Sequence, residues 1–158
     1  MPTFRCDVVD LYVVRRGEAS GHEVLQLRRA REPLMGSWQP IMGHIEPGET
    51  AVGAMLREAR EEIGLDVRAV ECWQLEQTYP FFIAATDTVM ISPRFVVRVE
   101  RAWEARLNAE HDAHRWVAIG DADRHFTWPG QLAALREIER ILLPGSLQGQ
   151  HLRLKLGV

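Results

Sequence analysis

An α/β domain is predicted by three features of the sequence: two β-branched runs near its start, a strongly periodic helical segment after them, and a further strand-rich stretch closed by a second helix. At 158 residues the chain has the size of one ordinary domain, which buries about two thirds of its unfolded surface around a single core. A formal charge of -3 offers no general basic field to nucleic acid, and the apolar runs are too short to span a membrane. The opening MPTFRCDVVD has no charged-then-apolar leader pattern, and Cys6 and Cys72 form no C-x-x-C pair. Together these favour a reducing cytoplasm, with both cysteines as buried packing residues rather than a disulfide.

Residues Asp7 to Arg15 and Val24 to Arg29, rich in aliphatic and β-branched side chains and separated by Gly17, Ser20 and Gly21, predict a hairpin. REPLMG is a loop, and WQPIM, Trp38 to Met42, is a short apolar segment in which Pro40 leaves central strand or edge open. From Thr50 to Ile63 the pattern turns helical: Val52, Met55, Leu56, Ala59 and Ile63 share a stripe, Thr50 is placed to cap the start and Gly64 to stop it. Strands are expected at Val67 to Gln74, about Val89 to Val99, and Arg115 to Ile119, with a loop over Asn108 to Ala113. A second helix starts near Pro129, with Leu132, Leu135, Ile138, Ile141 and Leu142 as its apolar face. HLRLKLGV alternates like a strand behind the flexible LPGSLQGQ, so residues 143–158 form a C-terminal tail, either docked or loose.

The chemistry concentrates in two stretches. GHIEPGET, Gly43 to Thr50, comes within one residue of a phosphate-cradling P-loop but carries Glu49 where that loop needs lysine, so any phosphate here must be met by a different positive charge. On the helix that follows, REAREE places Glu58, Glu61 and Glu62 within an arc of roughly 100°, away from the apolar stripe, which predicts three carboxylates on one exposed face. Such a cluster alone is an ordinary solvated face with Arg57 and Arg60 as ion-pair partners. Taken with the loop, however, Gly43, Glu49, Arg57, Glu58, Glu61, Glu62 and Gly64 match G-x5-E-x7-R-E-U-x-E-E-x-G-U, with Leu65 at its end. A chance match in a chain this long is on the order of one in a million.

That pattern is the Nudix box, and the sequence resembles the Nudix hydrolases. The resemblance implies an α/β/α sandwich with a mixed β-sheet, formed as one domain over residues 1–158 with its box at 43–65. It also implies Mg²⁺, with Mn²⁺ as a substitute, in place of the missing lysine, since hard cations take oxygen ligands and share them with substrate phosphates. Glu58 and Glu62 would be metal ligands together with the Gly43 carbonyl. Glu61 would be a further ligand or the base, and Arg57 and Glu49 would orient the carboxylates. In NAEHDAHRWV, Glu110 resembles an extra ligand or base that many Nudix enzymes carry on a facing loop, whereas His111 and His114 lack a zinc spacing and are expected at the surface.

Arg28 and Arg29 close a predicted strand, where the resemblance implies a phosphate-binding arginine, while either could equally form a surface ion pair. Trp38, Gln39, Tyr79, Phe81, Phe126 and Trp128 are stacking candidates for a substrate ring. Trp38-Gln39 ahead of Gly43, the Glu110-His111 pair and the W-x-x-Q at Trp128 to Gln131 resemble the dihydroneopterin triphosphate pyrophosphatases, often labelled dATP pyrophosphohydrolases. The expected partner is therefore a small nucleotide-like diphosphate, hydrolysed to release pyrophosphate or phosphate, in a protein that is a homodimer by default. House-cleaning of non-standard nucleotides, dinucleoside polyphosphate hydrolysis and a non-catalytic nucleotide-sensing module stay open as alternatives.

Overall fold

The computed structural model describes residues 1–157 and converts the apolar runs into ten strands. These are β1 (Thr3–Arg5), β2 (Val8–Arg16), β3 (His22–Arg29), β4 (Trp38–Gln39), β5 (Ile41–His44), β6 (Glu71–Gln74), β7 (Phe81–Ile83), β8 (Thr88–Met90), β9 (Arg94–Arg98) and β10 (His111–Ala118). The helices are α1 (Ala51–Ile63), α2 (Pro129–Ile141) and the short α3 (Leu147–Leu152). The central sheet runs β10-β3-β2-β9-β6, with β4 on β3 and β5 on β2, and is mixed because β9 lies parallel to β2 while the other pairs are antiparallel.

Alternation along β2 and β3 gives each face of the sheet its own core. Val9, Leu11, Val13, Leu25 and Leu27 pack on one side with Met55, Ala59 and Ile63 of α1, and Tyr12, Val14 and Val24 pack on the other with Leu135, Ile138 and Ile141 of α2. The result is the expected α/β/α sandwich. The site end of the molecule depends on a handover at Pro40: residues before it pair with β3 and residues after it with β2, so the missing proline N–H falls where the ladder changes partner.

Several sequence expectations change. Val67–Ala69 is a 3-10 turn capped by Asp66 and only Glu71 onward is strand, while the expected Val89–Val99 strand breaks around Pro93 into β8 and β9, which belong to different sheets. The loop over Asn108 to Ala113 is strand from His111, with a bulge between His111 and Ala113. A three-stranded sheet, β1-β8-β7, has no counterpart in the sequence reading, because Phe81, Phe82 and Ile83 show no alternation. In the tail, Ser146 caps α3, and a bridge from Arg153 to Trp73 with Leu154 N–H donating to the Cys72 carbonyl at 2.8 Å docks the chain beside β6; Val158 lies outside the described residues. Cys6 is exposed rather than buried, because it sits between β1 and β2 outside both cores; Cys72 is buried, which pushes its thiol up to about 12.

Candidate active site

The box begins where β5 ends. Gly43 pairs with Val9 at the rim of the central sheet, and Gly48, at φ 83°, supplies the left-handed turn that sends the chain into α1. The Thr50 hydroxyl then accepts from Gly53 N–H at 3.0 Å, and at the other end Gly64, at φ 70°, donates to the Arg60 carbonyl at 3.1 Å. Both ends of α1 are thus fixed by the residues the sequence nominated, which holds REAREE at a defined height beside Gly43.

Arg57 ties this arrangement together. Its guanidinium donates to both Glu49 oxygens (3.1 and 2.9 Å), to Glu58 Oε1 at 2.7 Å, to Glu61 Oε2 at 3.4 Å and to the His44 carbonyl at 2.8 Å. Glu49 in turn accepts from Glu46 N–H at 3.1 Å, locking the loop to the helix. The hydrogen bonds from Arg57 hold the Glu49 carboxyl below the usual carboxylate range, and the Glu49 and Glu58 carboxylates push the arginine up despite partial burial. Glu58 is shifted upward, because burial outweighs its arginine partner. Its carboxyl group occupies the space that a Cβ on Gly43 would need, so any side chain at 43 would displace it.

The expected exposed triad is instead a gradient. Glu61 is 56% exposed, Glu58 13% and Glu62 only 2%. Glu62 faces inward because the segment before β10 folds over the end of α1, with Arg106 N–H donating to the Ile63 carbonyl and Asn108 N–H to that of Glu62. Burial, reinforced by the Glu58 and Glu110 carboxylates, pushes Glu62 up to about 9, with Arg29 opposing. Its Oε2 has no hydrogen-bond partner among the described residues.

His111, expected at the surface, is buried with its Nδ1 3.7 Å from Glu62 Oε2, and neither ring nitrogen finds a hydrogen bond among the described residues. Burial lowers its proton affinity. The register that pairs His111 with Arg29 carried it there; the only sequence signal was its place next to Glu110. His114 does stay partly exposed.

Arg28 and Arg29 point to opposite faces of β3. Arg28 pairs with Asp112 at 2.7 Å near the surface, while Arg29 faces α1 and leaves a buried Nε unpartnered. Trp38 is partly buried under Arg115, 4.1 Å above its ring, and Gln39 is buried opposite Leu27. Of the other aromatic candidates, Tyr79, Phe81 and Trp128 are exposed and Phe126 belongs to the α2-side core.

Among the described residues no three His, Cys, Asp or Glu side chains close around one point. A hard cation does not need them to. Mg²⁺ is typically held by one or two carboxylates, its own waters and substrate phosphates. Glu58 and Glu62 fit that role: one presses against a glycine that leaves room for it, and the other is a buried carboxyl with an unpartnered oxygen.

The NUDIX domain model matches residues 5–139. Over 104 residues the chain is 46% identical to the dihydroneopterin triphosphate diphosphatase of Escherichia coli, covering 60% of this chain and 67% of that protein. It is 30% identical over 111 residues to the asymmetrical bis(5'-nucleosyl)-tetraphosphatase of Mus musculus, covering 68% and 69%. A further relative, 34% identical over 119 residues, is a longer protein of which this chain spans 32%. Among solved structures, a C. elegans Ap4A hydrolase binary complex superposes with a TM-score of 0.70 at 21% identity, covering 85% of this chain and 95% of that one, which speaks for the fold. With the box in place on α1 and the family model spanning most of its length, the chain belongs to the Nudix hydrolases.

Proposed function

We propose that this chain uses Mg²⁺, or Mn²⁺ in its place, to hydrolyse a diphosphate linkage in a nucleoside-triphosphate-like substrate of the dATP or dihydroneopterin triphosphate type, releasing pyrophosphate or phosphate. The observation that carries this reading is the buried Glu62 carboxyl, set beside Glu58 with an oxygen left unpartnered. The ion, when bound, neutralises the diphosphate and makes phosphorus more electrophilic. Glu58 and Glu62 hold it, with the Gly43 carbonyl and Glu110 as further oxygen donors. Arg57 and Glu49 keep Glu58 aimed at the site. Glu61, the most open of the three glutamates on α1, takes the proton from the water that attacks phosphorus. Arg28, Trp38 and Gln39, brought together by the β3–β4 pairing, contact the rest of the substrate.

The similarity to the E. coli diphosphatase supports the substrate class. A second reading, hydrolysis of dinucleoside polyphosphates, is supported by the similarity to the mouse tetraphosphatase. Incubation with Mg²⁺ and a panel of nucleoside triphosphates, dihydroneopterin triphosphate, nucleotide sugars and diadenosine polyphosphates, with identification of the products, separates them. Turnover confined to the last group selects the second reading. Tight binding without hydrolysis of any member turns the domain into a sensing module and overturns the first.

A further inference from the structure

We infer that the end of the central sheet remote from Gly43 carries a second, non-catalytic site that binds a polyphosphate chain. β2 passes Gly43 at Val9 and ends at Arg16, seven residues on, roughly 23 Å away at the rise of a strand. There a cavity of about 760 Å³ is lined by Arg16, Arg68, Arg98, Arg101 and Arg153. Only two carboxylates, Glu71 and Glu100, share that lining. In a chain of net charge -3 this is a concentrated patch of the opposite sign, and its size lies within the range of ordinary ligand pockets, about 300–1,000 Å³.

Two of the guanidinium groups are held in place. Arg98 and Arg153 both engage Glu71, the first through its Nε at 2.9 Å and the second at 3.1 Å, and both lie over the ring of Trp73, at 5.5 and 6.0 Å. Trp73 is itself pinned, its indole N–H donating to the Gly149 carbonyl at 3.0 Å. The docked tail therefore forms one wall, since both Arg153 and Gly149 belong to it. Arg101 turns toward Glu18 and Glu23, while Arg16 and Arg68 have no ion pair among the described residues.

Glu71 partly offsets Arg98 and Arg153, and Glu18 and Glu23 offset Arg101, which leaves Arg16 and Arg68 as the uncompensated charges of the cavity; a guanidinium fork matches phosphate oxygens two at a time. Trp73 is buried, and no aromatic side chain is among the described residues that line the cavity, so recognition falls on the phosphates. The site stands independently of the reaction proposed above. Inorganic and nucleoside-borne phosphate chains share this chemistry, and the test includes both.

The experiment is calorimetric titration of the full chain in EDTA with inorganic tripolyphosphate and, separately, with ATP. It compares the unsubstituted protein, the Arg16→Ala/Arg68→Ala double variant and Glu62→Gln. One saturable site is expected, weakened as salt is raised, roughly tenfold or more weaker in the arginine variant and unchanged in Glu62→Gln. Equal affinity for the two ligands assigns recognition to the phosphate chain alone; tighter ATP binding adds a nucleoside contact to it. No binding, or binding indifferent to both arginines, overturns the inference. Should the double variant not fold, the indole N–H resonance of Trp73 in the unsubstituted protein decides: it shifts on titration if the anion binds here and stays fixed if it does not.

Discussion

Glu62 is the most buried carboxyl of the proposed site. Buried beside two other carboxyl groups, it is pushed up to about 9, so at neutral pH it is protonated until a cation compensates its charge. We expect Glu62→Gln to lower turnover by about two orders of magnitude or more at saturating Mg²⁺ while circular dichroism shows an intact fold, because the amide fills the same space without a charge. Arg57 acts through others. Arg57→Lys keeps the charge but loses the planar fork that reaches Glu49, Glu58 and His44 together. The expected result is weaker Mg²⁺ binding by about tenfold, with a melting temperature within a few degrees of the parent. Metal affinity measured by calorimetry decides this, and an unchanged value would remove Arg57 from the orienting role.

Among the elements, α1 was the most legible and for a physical reason: its caps, its periodicity and its acidic turn are all local. Thr50, Gly64 and the Met55–Ala59–Ile63 face behave as their spacing indicates. The exposure of Glu62 was not legible, because what covers it arrives from a segment more than forty residues later. The same holds for His111, whose burial depends on cross-strand register with Arg29 rather than on any neighbour in sequence. The division of the Val89–Val99 run between two sheets likewise depends on tertiary pairing, with Pro93 its only local mark. The caps can be tested at this scale. Gly64→Ala places a Cβ at φ 70° and 3.3 Å from that of Arg106, and should cost about 1 kcal/mol or more in urea denaturation. Thr50→Ala should cost about 1 kcal/mol by losing the bond from Gly53.

Across the whole molecule, buried acids make stability depend on pH and on metal in a coupled way. Asp10, half-buried on β2 near Arg94, is raised by desolvation to about 6, and Glu62 to about 9. For a carboxyl raised in the folded state, stability is complete below the unfolded pKa and is lost as pH climbs toward the folded one. The lowered proton affinity of His111 and His22 acts in the opposite direction below about pH 6.5, so the net loss in metal-free protein should appear between about pH 7 and pH 9, where Glu62 dominates. Added Mg²⁺ should restore most of it at the alkaline end, where the cation meets the least competition from protons. Urea midpoints in EDTA and in Mg²⁺ test this, with Glu62→Gln expected to flatten the metal-free profile above pH 6. A midpoint that rises between pH 7 and pH 9 in EDTA would contradict the account. The central claim, that carboxylates gathered on one helix hold a divalent ion for a diphosphate, is tested most directly by the anomalous-difference map of a manganese-soaked crystal. The account predicts a peak bridging Glu58 and Glu62 beside the Gly43 carbonyl, with oxygens at about 2.0–2.3 Å. A map with no peak there, and the two carboxylates turned apart, would contradict it.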